Sequence, residues 1–234
     1  MQVPNEDEAP VESEVETPHI EATEEAIQFI TSIEPSELQK CLFSDSLVTV
    51  SEGGRDIGEF SLTVDFASRG PQPCLLLRAV SRGTIDGTPC GTRVTAYLSA
   101  AMETLEEDLH EYVQLPDHKM ERRCHMVQRD DRMMVDRITT AGEEVTRQSD
   151  SYCLSAIRGL LSEGSSMLLM RVMALRRAVP ETMTFSSLHQ GPQLRQTTFL
   201  AVGSETLEVF GVERAVEAPG EVPALWRCFF LADG

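Results

Sequence analysis

The side chains of this chain that could carry chemistry are its five histidines, its six cysteines and the carboxylates around them. Metal binding or nucleophilic catalysis would require several of these groups to converge. His110, His118 and Cys124 form the most compact candidate, because the histidines flank a predicted turn and Cys124 follows soon after. Cys124 and His125 are adjacent, however, and adjacent side chains in a strand point to opposite faces. We therefore interpret these residues as ordinary hairpin residues and predict no metal site.

Sequence signatures of enzymes are missing from the chain. Residues 159–164 read GLLSEG and resemble a GxSxG nucleophile elbow only superficially, and no glycine-rich phosphate loop is found. No two cysteines have the CxxC spacing of zinc and redox sites. Because the chain has no secretory signal and is long enough to form a core without disulfides, we expect free thiols and an intracellular protein. The sequence thus predicts a protein that is not an enzyme and has no cofactor.

The charge of the chain is strongly negative and is concentrated near its start. The formal net charge is −18, which argues against binding to nucleic acids and to anionic membrane surfaces. Residues 1–40 contain eleven acidic residues and one basic residue. Because residues 1–19 also contain almost no large apolar side chains, they predict a disordered acidic tail. No apolar segment approaches the ~20 residues that a membrane-spanning helix needs.

Residues 20–42 predict a short helical leader, which is the name we use for this segment. Thr23 is a good N-cap, the residues after it are acidic, and Pro35 ends the first helix. The apolar side chains of this helix are those expected to bind a partner: Ile27, Phe29, Ile30 and Ile33. Two alternatives remain open, since such a leader can dock on the body of the protein or on a partner.

From residue 43 onward, short segments alternate between apolar and polar residues. Alternation with period two predicts strands with one buried face, and the turn residues between them predict hairpins. Residues 105–113 are ambiguous between helix and strand, and their neighbours favour strand. The remaining predicted strands are 47–50, 57–66, 74–85, 90–99, 120–129, 133–140, 145–152, 182–188, 197–202, 207–214 and 224–231.

Residues 165–177 differ from their surroundings, because apolar side chains cover nearly every face of a helix drawn there. Such a helix is buried. With nine or ten of these strands linked by hairpins, the sequence predicts a mainly β (α+β) fold, in which one large antiparallel meander curves strongly around this helix. The expected architecture is an unclosed half-barrel, similar to lipoprotein-carrier folds, in a single domain over residues 43–234. The final Asp233-Gly234 is a favoured hairpin turn, so we expect a truncated form or isoform whose strand near Leu225 is left as an edge.

Three arginines follow one another closely at the end of the predicted helix: Arg171, Arg176 and Arg177. Positive charge there complements the negative end of the helix dipole. The same cluster could attract the acidic tail of this chain or the acidic surface of a partner. Both interpretations stay open at this point.

Five long segments resemble one known protein family. They are CLFSDSLVTV at 41–50, SRGTIDGTPC at 81–90, MERRCHMVQR at 120–129, SEGSSMLLMR at 162–171 and WRCFF at 226–230. They are similar to the ciliogenesis-associated proteins that interact with tetratricopeptide-repeat protein 17, over nearly all of residues 20–234. The resemblance implies a non-enzymatic adaptor of cilium biogenesis. It also implies promotion of actin polymerisation together with the repeat protein, a link to the sperm axoneme, and location in cytoplasm, cytoskeleton, nucleus and plasma membrane.

The resemblance suggests how a partner would be bound. Tetratricopeptide repeats form a concave groove that accepts short helices or extended segments. The leader and the edge near Leu225 fit that description, and the arginine cluster at 171–177 is the first candidate for direct actin contact. The alternative function is an intracellular carrier of lipid or another apolar ligand, which would use the concave face of the curved sheet.

Overall fold

The structure is a computed structural model that describes residues 21–51, 54–177, 180–188, 194–201, 204–209 and 212–217, the last two as backbone only. Two short helices form the leader: α1 (Glu24–Thr31) and α2 (Pro35–Lys40). The hydroxyl of Thr23 accepts a hydrogen bond from the Ala26 amide and so caps α1 as expected. No helix in the described ranges is long and apolar enough to cross a membrane.

Eight strands follow the leader and form one antiparallel sheet, in which each strand pairs with the next. Because β1 and β8 do not pair with each other, this meander is unclosed, as the sequence predicted. The ambiguous residues 105–113 belong to β5. The strands are β1 (Ser44–Val50), β2 (Asp56–Arg69), β3 (Gln72–Ile85), β4 (Thr88–Leu98), β5 (Thr104–Gln114), β6 (Lys119–Arg129), β7 (Arg132–Ala141) and β8 (Glu144–Cys153).

The chain then leaves the meander, which therefore has eight strands rather than the nine or ten expected. A short 3-10 helix (Leu154–Ile157) leads to β9 (Leu160–Leu161), the long helix α3 (Glu163–Arg176), β10 (Thr182–Ser187) and β11 (Arg195–Leu200). These three strands form a second sheet in the order β11-β10-β9, in which β9 and β10 are parallel. Alternation identifies a strand, but it carries no information about which sheet the strand joins.

One predicted strand was wrong. Residues 207–214 are not a single strand but parts of two, β12 (Ser204–Val209) and β13 (Val212–Glu217), which pair with each other. Only two residues separate the two strands, and the alternation along 207–214 was interpreted as one strand. The acidic tail at 1–19 and the predicted strand at 224–231 lie outside the described residues.

The meander has an inner face that packs against α3 and an outer face that is mainly polar and charged, with Leu76 and Val127 as buried apolar exceptions. A row of directly opposed residues runs across the inner face of β2 to β7, and each is at most 2% exposed: Val64, Leu77, Ala96, Glu107, Met126 and Val135. From the other side, α3 contributes Leu168 and Val172 to the same core, together with Phe185 of β10 and Phe29 of the leader. The helix expected at 165–177 is therefore present and buried.

Gly164 allows α3 to lie unusually close to the sheet. A methyl group at this position would come within 3.0 Å of the Cβ atom of Ala96 and would lie 3.0 Å from the Oε2 atom of Glu107. Side-chain carbons do not approach this closely in packed interiors. The first turn of α3 therefore sits on β4 and β5 only because residue 164 has no side chain.

We expect Gly164→Ala to lower the free energy of unfolding by about 1–3 kcal/mol, because the added methyl group overpacks the contact between α3 and β4. Urea denaturation of the whole chain measures this change. Adding Ala96→Gly should recover part of the loss, since it removes the methyl group that the new one meets. If the effects of the two substitutions on the free energy of unfolding were strictly additive, the contact between residues 164 and 96 would not be the cause of the destabilisation.

Candidate functional site

The structure separates the side chains that the sequence offered for metal or nucleophile chemistry. His110 lies on the outer face, where its Nε2 atom is 3.0 Å from Oε1 of Glu121. His118 pairs with the neighbouring Asp117. Cys124 is half-buried against the core, and burial raises the pKa of its thiol to about 11. The thiol is therefore protonated near neutral pH and is a poor nucleophile.

A second group of ligand-type side chains, not singled out from the sequence, lies on the outer face. One ligand atom each from Glu106, Asp108 and His125 falls within 4.8 Å of the others. Each of these side chains also has a partner, because Glu106 accepts from Nε of Arg69 at 2.6 Å and His125 Nδ1 lies 2.9 Å from Asp108. Cross-strand ion pairs of this kind account for the group, and we assign no metal to it.

A buried carboxyl group lies at the centre of the inner face. Glu107 is 2% exposed, and its carboxyl accepts three hydrogen bonds from the start of α3. The donors are the Ser162 hydroxyl at 2.5 Å, the Gly164 amide at 2.8 Å and the Glu163 amide at 3.2 Å. Amides in the first turn of a helix have no partner within the helix, and they favour negative charge nearby. Glu107 therefore fixes the N-terminus of α3 to β5.

Burial raises the pKa of Glu107 to about 7, and the hydrogen bonds from Ser162 and Gly164 oppose that rise. A raised pKa alone does not make a catalytic site. The carboxyl faces the helix terminus, and its described hydrogen-bond partners are two backbone amides and the hydroxyl of Ser162, which is itself the N-cap of α3. Its contacts hold the start of α3, and the sequence did not single out Glu107 within the ambiguous segment 105–113.

The free energy of unfolding should fall as the pH rises from about 4.5 to about 7, because native Glu107 keeps its proton over this window and the unfolded chain does not. Glu107→Gln should remove this part of the pH dependence, as measured by urea denaturation across the window. Glu37→Gln is the control. Arg176 holds the pKa of Glu37 down to about 2, so its contribution to stability is lost only as the pH falls below about 4.5. If the free energy of unfolding had the same pH dependence in the wild type and in Glu107→Gln, the raised pKa of Glu107 would be contradicted.

The structure places the predicted partner-binding side chains of the leader against the body. Phe29 and Ile33 are each 9% exposed, and both belong to the main core. Ile27 and Ile30 are half-buried, and the end of the Ile27 side chain fills the space over Gly159. Of the two alternatives for the leader, the structure thus shows docking on the body. Contact of these residues with a partner stays a prediction, and it would require the leader to separate from the body.

Two of the three clustered arginines point towards the body rather than to solvent. Arg171 donates to the carbonyl oxygens of Cys41 at 3.0 Å, Phe43 at 2.8 Å and Leu62 at 3.1 Å. It thereby holds the end of the leader and the start of β1.

Arg176 clamps the leader from the same helix. It donates to both carboxylate oxygens of Glu37, at 2.7 and 2.8 Å, and to the hydroxyl and carbonyl oxygens of Ser32. Arg177 is exposed and ends α3 in a left-handed conformation. Only Arg177 of the three is freely available to a partner in this structure.

Arg176→Met should lower the free energy of unfolding by about 1–2 kcal/mol, because it removes a bidentate, partly buried ion pair. Arg177→Met is the matched control and should change stability little, since that side chain is exposed. Hydrogen exchange should show faster exchange of the α1 amides in Arg176→Met alone. Equal effects of the two variants would show that the leader is not held by this clamp.

Among the described helices and strands, the edge strand β1 carries the largest number of exposed large apolar side chains. All seven residues of β1 are exposed, and Leu47, Val48 and Val50 have exposures of 54%, 62% and 56%. Leu47 and Val48 are adjacent, so they extend to opposite faces of the sheet. At the other edge, β8 carries one exposed large apolar side chain, Val145. An unpaired edge strand is a template for another strand.

Comparison with known proteins shows the family to which this chain is related. Residues 25–234 match the family described as ciliogenesis-associated TTC17-interacting protein, N-terminal domain. The chain belongs to this family. The match runs from α1 past β13, so the whole described body is the family's domain. The family name describes association with ciliogenesis and interaction with TTC17, and it does not describe an enzyme.

Three relatives carry the name ciliogenesis-associated TTC17-interacting protein. The chain is 42% identical to the protein of Danio rerio over 94% of its own length and 63% of the relative's. It is 39% identical to that of Xenopus laevis, over 91% and 59%, and 34% identical to that of Homo sapiens, over 92% and 58%. The chain thus spans about three-fifths of the length of these relatives. No solved structure matches it. The family resemblance predicted from the sequence is therefore confirmed.

Proposed function

We propose that this chain is a non-enzymatic adaptor of cilium biogenesis that binds TTC17 and acts with it to promote actin polymerisation. The observation that carries the proposal is the family match, which includes every described helix and strand after residue 24. The site geometry supports it, because the histidines and Cys124 are separated and Glu107 is used to hold α3. We further propose that the protein acts in the cytoplasm and cytoskeleton of the cilium and the sperm axoneme, with the plasma membrane and nucleus as additional locations.

We propose the leader as the segment that enters the partner. TTC17 is a tetratricopeptide-repeat protein, and the groove of such repeats accepts short helices. In the docked state the apolar side chains of α1 are covered. TTC17 can therefore bind α1 only in those molecules in which α1 has separated from the body. The affinity is then reduced by the fraction of molecules that are competent to bind.

The proposal does not extend to a carrier of apolar ligands. Such a carrier needs an open inner face, and α3 covers the inner face at β3, β4 and β5. The covering side chains include Leu168, Leu169 and Val172, each 0% exposed. For direct contact with actin, Arg177 is the remaining candidate, because it is the exposed member of the arginine cluster.

Calorimetric titration of the 234-residue chain with the purified repeat region of TTC17 tests the proposal. We expect a dissociation constant below about 1 μM. Arg176→Met should bind several-fold more tightly, because it weakens the clamp that holds the leader, whereas Arg177→Met should bind as wild type does. Absence of binding by the wild-type chain would contradict the adaptor proposal. Equal affinities of all three chains would contradict only the role of the leader.

A further inference from the structure

The β1 edge is unprotected in a way that edge strands of stable proteins usually are not. No strand in the described ranges pairs with its outer side, since β1 stands at the end of the sheet order and is joined only to β2. Native edges are blunted by charged residues, by proline or by a covering element. The β1 strand contains one charged residue, Asp45, and no proline. Such an edge binds another strand if one is within reach.

The opposite edge of the meander does not share this property. The β8 strand contains Glu144, Arg147 and Asp150, which make it a poor template for an apolar strand. An apolar strand would therefore pair with β1 rather than with β8. The two edges also provide a natural comparison, because Val48 on β1 and Val145 on β8 are the same residue type, with exposures of 62% and 49%.

The chain itself contains a segment of matching chemistry beyond β13. Residues 224–231 read ALWRCFFL, in which Arg227 is the only polar residue. Alternation places apolar side chains on both faces of this segment, as Leu47 and Val48 do for β1. The preceding residues 218–223 read APGEVP, and proline and glycine there favour a break from β13. The family match continues to residue 234, so this segment belongs to the same domain as β1.

We propose that residues 224–231 pair with β1 as a ninth strand of the meander. The pairing would satisfy the outward N–H and C=O groups of β1 and would cover its apolar side chains on both faces. A segment of the same chain has the advantage over a second copy or a partner strand, because its effective concentration at the edge is on the order of millimolar. The proposal goes beyond the proposed function and does not depend on TTC17.

Trp226 is the only tryptophan of the chain and therefore reports directly on this segment. In the wild-type chain we expect emission at the short wavelength of a buried indole. Val48→Lys should shift the emission to longer wavelength, whereas the matched control Val145→Lys should leave it unchanged. Because both positions are exposed, both variants should fold, and circular dichroism checks that they do. Solvent-exposed emission in the wild type, or a buried emission that Val48→Lys does not move, would overturn the proposal.

Cross-linking provides an independent test that does not perturb the apolar contact. Cys228 lies in the proposed strand, and a cysteine can be introduced in β1 by Ser44→Cys or Ser46→Cys and in β8 by Ser149→Cys. Because β8 already ends in the free Cys153, all these variants also carry Cys153→Ser. A disulfide requires Cα atoms about 4.4–6.8 Å apart, so peptide mapping after mild oxidation should find Cys228 joined to β1 and not to β8. A disulfide between two chains would assign the edge to a second copy. A Trp226 emission that becomes buried only on addition of TTC17 would assign it to that partner. Either result, or no cross-link to β1, overturns the proposal.

Discussion

The structure depends on one interaction, the seating of the N-terminus of α3 on the buried carboxyl of Glu107. A carboxyl group in the middle of an apolar sheet face is costly unless hydrogen bonds compensate for the lost water. The first turn of a helix has the opposite need, because its amides lack partners. Here the carboxyl of Glu107 accepts from the Ser162 hydroxyl at 2.5 Å and from the Gly164 and Glu163 amides at 2.8 and 3.2 Å, so both needs are met. Gly164 lets the helix come close enough for these bonds to form. The interaction therefore determines where α3 crosses the meander.

The rest of the body is organised along the same helix. Towards its other end, Arg171 holds the start of β1 through backbone carbonyl oxygens, and Arg176 holds the leader through Glu37. Both guanidinium groups also lie over aromatic rings, Arg171 over Phe43 and Arg176 over Phe29. The helix thus connects three parts of the chain that are far apart in sequence: the centre of the sheet, its first strand and the leader. A binding event that moves the leader would act first on this end of α3.

These contacts account for most of the charged and polar side chains discussed in the described residues. The outer face is covered by cross-strand pairs, such as Arg82 with Glu59 and Arg78 with Asp65, and such exposed pairs contribute little to stability. The polar groups of the interior hold the helix. Among the described residues, two elements are of the kinds that proteins use to bind other segments. They are the apolar edge at β1, for which residues 224–231 are the proposed occupant, and the amphipathic leader, which is docked on the body. This distribution is consistent with membership of a family named for an interaction.

The sequence by itself determined the eight strands of the meander and the buried helix, because alternation and all-round apolarity are local consequences of burial. It identified β2 and α3 from their own residues and resolved residues 105–113 from their neighbours. It did not determine that Glu107 is buried, since the compensating Ser162 lies 55 residues away. Nor did it show that Arg176 turns inward, since Glu37 lies 139 residues away. Whether a charge faces water or the core depends on partners that only the folded chain brings together. For the same reason, only the tertiary structure identified β1 as the bare edge.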